Sequence, residues 1–143
     1  MIRLLIADDE KLEREALADM VSRRFEHEVV LELAENGRKA ADTAVLWGAD
    51  LILMDIEMPG TNGMDAAEQI RKRDAQVVIM FITNMAHYAI KGYEVGALDF
   101  VLKPIQYLNF ANKMDRAMQL VENRGSKPVM IQTGTGVKKI DSR

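Results

Sequence analysis

The chain has 143 residues, of which 48% are apolar, with a formal net charge of −3 and no cysteine. That is the size of one domain able to fill a hydrophobic core unaided, and it excludes a disulfide scaffold, thiol chemistry and a domain-wide basic footprint for nucleic acid. The N-terminus MIRLLIADDE is too short and too acidic for a signal peptide, and no apolar run approaches the roughly 20 residues of a membrane span. A soluble, cytoplasmic domain with no membrane partner is expected.

Residues 2–7 (IRLLIA) form a short branched apolar run that reads as a strand. Helical spacing follows over 10–25, with Leu12, Ala16, Leu17, Met20, Val21 and Phe25 available for one broad face. EVVLEL (28–33) predicts a second strand, and 36–48 a helix capped by Asn36 and stopped at Gly48. LILM (51–54) is a third strand, followed by Pro59-Gly60 turn chemistry and a helix around 64–73. VVIMFIT (77–83) is the most apolar strand, 86–95 a short helix and LDFVL (98–102) a fifth strand. In the last helix, 106–122, Phe110, Met114, Ala117, Met118 and Val121 share one face while Lys113, Arg116, Glu122 and Arg124 face water.

Several of these strands are continuously apolar, as in parallel sheets buried on both faces. The pattern predicts a flavodoxin-like, doubly wound five-stranded parallel sheet, (βα)5. Such sheets place ligands at the carboxyl ends of their strands. The polar residues found there are Asp8 and Asp9 after strand one, Asp55 after strand three, Thr83 after strand four and Lys103 after strand five.

Taken singly, each of these is an ordinary turn, cap or strand-end residue; Asp9 or Glu10 is a natural helix N-cap. Together, three carboxylates on one edge repel and are costly to bury unpaired. A hard divalent cation resolves that conflict, and Mg2+ suits a site of few carboxylates with room for a phosphate oxygen. Lys103 adds positive charge and Thr83 a hydroxyl donor. Asp55 is then the candidate phosphoryl acceptor, since carboxylates serve as nucleophiles in forming aspartyl phosphate.

The stretches IADDE, MDIEMPGTNGMD, FITN and VLKPI, in that order, resemble a receiver domain of a two-component response regulator over roughly residues 2–122. HYAIKGYEVGALDFVLKPIQYLNF resembles, more narrowly, the LytTR-type (LytR/AlgR-like) regulators. The resemblance implies a regulatory phosphoacceptor rather than an enzyme, acting only in its own phosphoryl transfer and hydrolysis. It implies that Asp55 takes a phosphoryl group from a sensor histidine kinase. Mg2+, or Mn2+ in its place, would be held by Asp8, Asp9, Asp55 and the backbone carbonyl of Glu57. Lys103 and Thr83 would contact the phosphoryl oxygens, Phe100 would turn inward as Thr83 moves, and Pro104 would follow a cis bond. Homodimerisation on activation is expected through the 86–122 face, where Tyr88, Tyr93 and Tyr107 lie.

Two departures from the family pattern are visible. Asn84 stands where many receivers carry a small residue, and Glu57 sets a further acid beside the site; both bear on phosphoryl lifetime. The 10 methionines are scattered and read as packing. His27 reads as a surface residue and Trp47 as a packing residue. Residues 123–128 (NRGSKP) read as a linker, and 129–143 as the opening hairpin of a LytTR-like DNA-binding domain cut short, or a disordered tail. DNA binding and transcription control would then belong to an output domain missing from this chain. A Mg2+-dependent phosphohydrolase with an aspartyl nucleophile is the rival of another class, but its nucleophile would sit in a D-x-D stretch on the first strand, where this chain reads A-D-D-E. A receiver-like module acting without phosphorylation is the third reading.

Overall fold

The computed structural model describes residues 1–124. Its elements alternate: β1 (Ile2–Ala7), α1 (Lys11–Arg24), β2 (Val29–Ala34), α2 (Gly37–Thr43), β3 (Leu51–Met54), α3 (Gly63–Arg73), β4 (Val78–Thr83), α4 (Ala89–Glu94), β5 (Asp99–Leu102) and α5 (Tyr107–Arg124). All strand pairs are parallel and the spatial order is β2-β1-β3-β4-β5. This is the doubly wound flavodoxin-like sheet that the apolar strands predict. The expectations for residues 125–143 lie outside the described residues.

The period-two side-chain alternation of the strands divides the core in two. Leu5, Ala7, Ile52, Met54, Ile79 and Phe81 pack against α2 and α3 through Ala40, Ala41, Met64, Ala67 and Ile70, and against α4 through Ala89. Leu4, Ile6, Leu51, Leu53, Val78, Met80 and Ile82 pack against α1 and α5 through Leu17, Val21, Phe110, Met114 and Met118. Every residue of β3 and β4 is buried, which is why those strands carry no alternation in their sequence. Trp47 packs against the first of these clusters, and His27 is exposed.

The structure departs from the sequence reading in several places. Leu12 is 80% exposed and Ala16 is exposed, so the buried face of α1 is narrower than its apolar spacing suggests. The predicted 36–48 helix is α-helical only to Thr43 and continues as a π turn over Ala44–Gly48. The 86–95 helix begins as a 3-10 turn over Ala86–Tyr88. α5 runs through Arg124, two residues into the expected linker.

Candidate functional site

Strand register builds the site. Ala7 and Met54 are partners across β1 and β3, and an aspartate follows each. The Asp55 amide donates to the Ala7 carbonyl at 2.9 Å, so Asp8 and Asp55 leave adjacent strands side by side. They are 3% and 7% exposed, and Asp9 is the more open of the acids. Carboxylate oxygens of Asp8, Asp9 and Asp55 all lie within 4.8 Å of one another.

The other end of the sheet supplies the counter-charge. Leu102 pairs with Thr83, and the Lys103 amide donates to the Thr83 carbonyl at 3.0 Å. From there the Lys103 Nζ donates to Asp55 Oδ2 at 2.8 Å and to Asp8 Oδ2 at 2.9 Å. It also donates to the Glu13 carboxylate, in the first turn of α1. The Lys103–Pro104 peptide bond is cis. Burial pulls the Lys103 pKa down, but hydrogen bonds to Asp55, Glu13 and Asp8 outweigh it and leave the pKa raised. Burial raises the Asp8 pKa, against the opposing hydrogen bonds from the Glu10 amide and Lys103.

The β3–α3 loop fixes the Asp55 carboxylate. The Glu57 amide donates to Asp55 Oδ1 at 3.2 Å, which leaves Oδ2 to Lys103, while the Glu57 residue itself is exposed. The loop must pass close to its neighbours to do this. A Cβ on Gly63 would lie 2.1 Å from the Asp55 carbonyl oxygen, and one on Gly37 2.0 Å from that of Thr61. Thr83 is fully buried, and its hydroxyl accepts from the Met85 amide at 3.1 Å. Asn84 is exposed. Phe100, the register partner of Phe81, is 8% exposed with its ring already inside.

Asp8, Asp9, Asp55 and Lys103 thus form one cluster; Thr83 ends β4, and Phe100 in β5 packs against α4. Reading the sequence missed Glu13, Arg14 and Gly37. Arg14 donates to the Asp8 carbonyl at 2.7 Å, and both it and Glu13 follow from the first turn of α1 standing over the end of β1. The donor chemistry fits a hard cation: three carboxylates supply oxygen only, and a lone ammonium offsets their charge.

A doubly wound parallel sheet with clustered acids and one lysine at its carboxyl edge is the layout of a signalling domain of two-component systems. The family model described as the response regulator receiver domain matches residues 4–115, and the chain belongs to that family. It is 32% identical to the sensory transduction protein LytT of Bacillus subtilis, over 100% of this chain and 63% of that protein. It is 31% identical to the positive alginate biosynthesis regulatory protein of Pseudomonas aeruginosa, over 81% of this chain and 47% of that one. The chain therefore spans between about half and just under two thirds of the length of these relatives. Among solved structures, it resembles the non-phosphorylated HemR receiver domain of Leptospira biflexa (TM-score 0.70, 27% identity, 82% of this chain and 94% of that one). It also resembles the response regulator TrrA of Thermotoga maritima in complex with Mg2+ and BeF (TM-score 0.73, 29% identity, 82% of this chain and 99% of that one). No helix among the described residues is long and apolar enough to cross a membrane.

Proposed function

We propose that Asp55 is the phosphoryl acceptor of this receiver domain and that a sensor histidine kinase is its donor. The observation that carries the reading is the position of Asp55: a buried carboxylate with one oxygen held by the Glu57 amide and the other by Lys103. An Asp55 oxygen forms the new P–O bond as the P–N bond of the donor phosphohistidine breaks, and the imidazole leaves with a proton. Asp8, Asp9, Asp55 and the Glu57 carbonyl are the ligands proposed for Mg2+ or Mn2+. The cation would offset charge on the transferring oxygens, as metals do in phosphoryl transfer.

Lys103 already spans Asp55 and Asp8, and moves onto a phosphoryl oxygen once one is bound. Thr83 gives up the Met85 amide to donate to another. The added charge, about −1.5 to −2 at neutral pH, then biases the β4–α4 loop and the position of Phe100. Lifetime of the phosphoryl group is set in part by the side chains of Asn84 and Glu57, both exposed.

The 86–122 face is the proposed output surface and homodimer interface. Ile90 (76%), Tyr93 (57%), Leu102 (50%), Tyr107 (47%) and Leu108 (76%) expose large apolar side chains there, a concentration expected of a docking surface. Residues 1–122 are proposed as the receiver unit, 123–128 as a linker and 129–143 as the start of a LytTR-like DNA-binding domain through which transcription is controlled. Incubation with Mg2+ and a small phosphodonor labels the wild-type chain and not Asp55→Asn. Equal labelling of the two overturns the assignment. Sedimentation with beryllofluoride and Mg2+ shows a dimer; an unchanged monomer removes the dimer proposal.

A further inference from the structure

Gly92 lies in the middle of α4 and is buried. Glycine in a helix interior costs about 1 kcal/mol relative to alanine, and Gly92 has no positive φ to account for its presence. Space accounts for it. A Cβ at position 92 would lie 2.3 Å from Phe100 Cε1 and 2.5 Å from Cζ, distances no real contact reaches. The Phe100 ring sits over the bare backbone of Gly92, with ring centroids 5.3 Å from Phe81 and 6.0 Å from Tyr93.

When a Cβ is added, either the helix or the ring has to move. The C-terminal end of α4 is held to the rest of the fold. Arg71, in α3, donates from Nε to the Val95 carbonyl at 2.7 Å, from Nη2 to the Gly96 carbonyl at 3.0 Å and from Nη1 to the Val77 carbonyl at 2.6 Å. The Ala97 amide also donates to the Gly92 carbonyl at 3.0 Å. The ring has the easier path. A groove of about 580 Å3, lined by Ala86, Ala89, Leu102, Lys103 and Pro104, borders Phe100 and is open to receive it.

We propose that Gly92 is a positioning residue for Phe100: its missing side chain opens the inward seat of the ring, and side-chain size at position 92 sets the balance between the inward and outward ring. Through Thr83, which ends the strand paired with β5, that balance is coupled to the occupancy of Asp55; this second half rests on the function proposed above. Two sites that bias one equilibrium must affect each other's occupancy reciprocally. An outward ring therefore weakens phosphoryl-group binding.

Two measurements on Gly92→Ala decide it. Alanine favours the helix, so the variant folds. Its crystal structure shows the Phe100 ring in the groove; a ring still seated inward, with α4 displaced, overturns the seat, whatever becomes of Asp55. Binding of beryllofluoride with Mg2+, by titration calorimetry, is weaker than wild type by about fivefold or more, the usual scale of coupling between sites. In a Phe100→Ala background the same Gly92→Ala change has no effect, as a cycle through a shared contact requires. Unchanged affinity in Gly92→Ala, or an equal loss in the Phe100→Ala background, overturns the coupling. Failure of wild type itself to bind beryllofluoride counts against the phosphoacceptor reading, and the coupling falls with it; the crystallographic result still decides the seat.

Discussion

The Lys103 ammonium and the Asp55 carboxylate meet at 2.8 Å although their strands are not neighbours. β4 lies between them, and it ends at Thr83, buried at the base of the bridge. The Lys103 amide donates to the Thr83 carbonyl, which holds the residue at the carboxyl edge beside β4, and its long side chain spans β4 to reach Asp55. A buried carboxylate, its counter-ion and a hydroxyl are thereby gathered from three strand ends.

Removing the bridge should leave two buried carboxylates without their shared cation. Lys103→Ala is expected to destabilise the chain by about 1–3 kcal/mol in metal-free buffer, the usual cost of orphaning buried charged acceptors. Mg2+ should raise the melting temperature of the variant more than that of wild type, because the ammonium no longer competes for the same oxygens. Thermal melts with and without Mg2+ check this; an equal Mg2+ response would place the cation elsewhere.

Asp8 pulls the other way. Burial raises its pKa, so its ionised form is disfavoured in the fold at neutral pH and the penalty is relieved as pH falls through the folded-state pKa. Asp8→Asn should therefore raise the metal-free melting temperature, by roughly a few degrees for a domain of this size, and abolish the response to Mg2+. The gap between variant and wild type should narrow on acidification. A variant less stable than wild type at neutral pH contradicts the sign.

Gly63 and Gly60 separate close approach from backbone strain. A Cβ on Gly63 meets the Asp55 carbonyl at 2.1 Å and the Ile56 Cα at 2.8 Å, both backbone atoms that cannot yield cheaply. Gly63→Ala is expected to cost about 2–3 kcal/mol and to reduce labelling at Asp55. Gly60 has open space around it but φ of +75°, so Gly60→Ala should cost only about 1 kcal/mol. Denaturant titrations of both variants give the comparison, and the reverse order would contradict it.

Away from the site, Arg24 joins α1 to α5 through a bidentate pair with Asp115, at 3.0 and 2.7 Å. The Arg24 hydrogen bond holds the Asp115 carboxyl below its ordinary value of 3.8. A depressed acid contributes stability above its unfolded pKa and loses it as pH falls through the folded one. The stability difference between wild type and Asp115→Asn should thus be constant near neutrality and vanish in acid below the ordinary carboxylate range. High salt should shrink it at any pH, because the pair is solvent-exposed.

The sheet and the main acid cluster were legible in the sequence because parallel strands buried on both faces announce themselves as unbroken apolar runs. β1, β3 and β4 fall within one residue of their expected bounds, and the acids that follow β1 and β3 are adjacent by register. Edge strand β2 slipped by one residue, since Val30 and Leu33 are 44% and 42% exposed and blur the pattern. The exposed face of α1 misled because apolar spacing alone does not reveal which Leu the sheet can reach. Glu13, Gly37 and Gly92 stayed hidden for one reason: each matters through a partner distant in sequence, Lys103, Thr61 and Phe100 respectively.

Phosphorylation of Asp55 is tested most directly by trapping the acyl phosphate. Incubation with Mg2+ and a small phosphodonor, followed by hydride reduction and peptide mapping, converts an aspartyl phosphate to homoserine at its own position. Homoserine at position 55, absent without Mg2+ and absent in Lys103→Ala or strongly reduced there, is the predicted result. Homoserine at another acid, or undiminished labelling in Asp55→Asn, would contradict it.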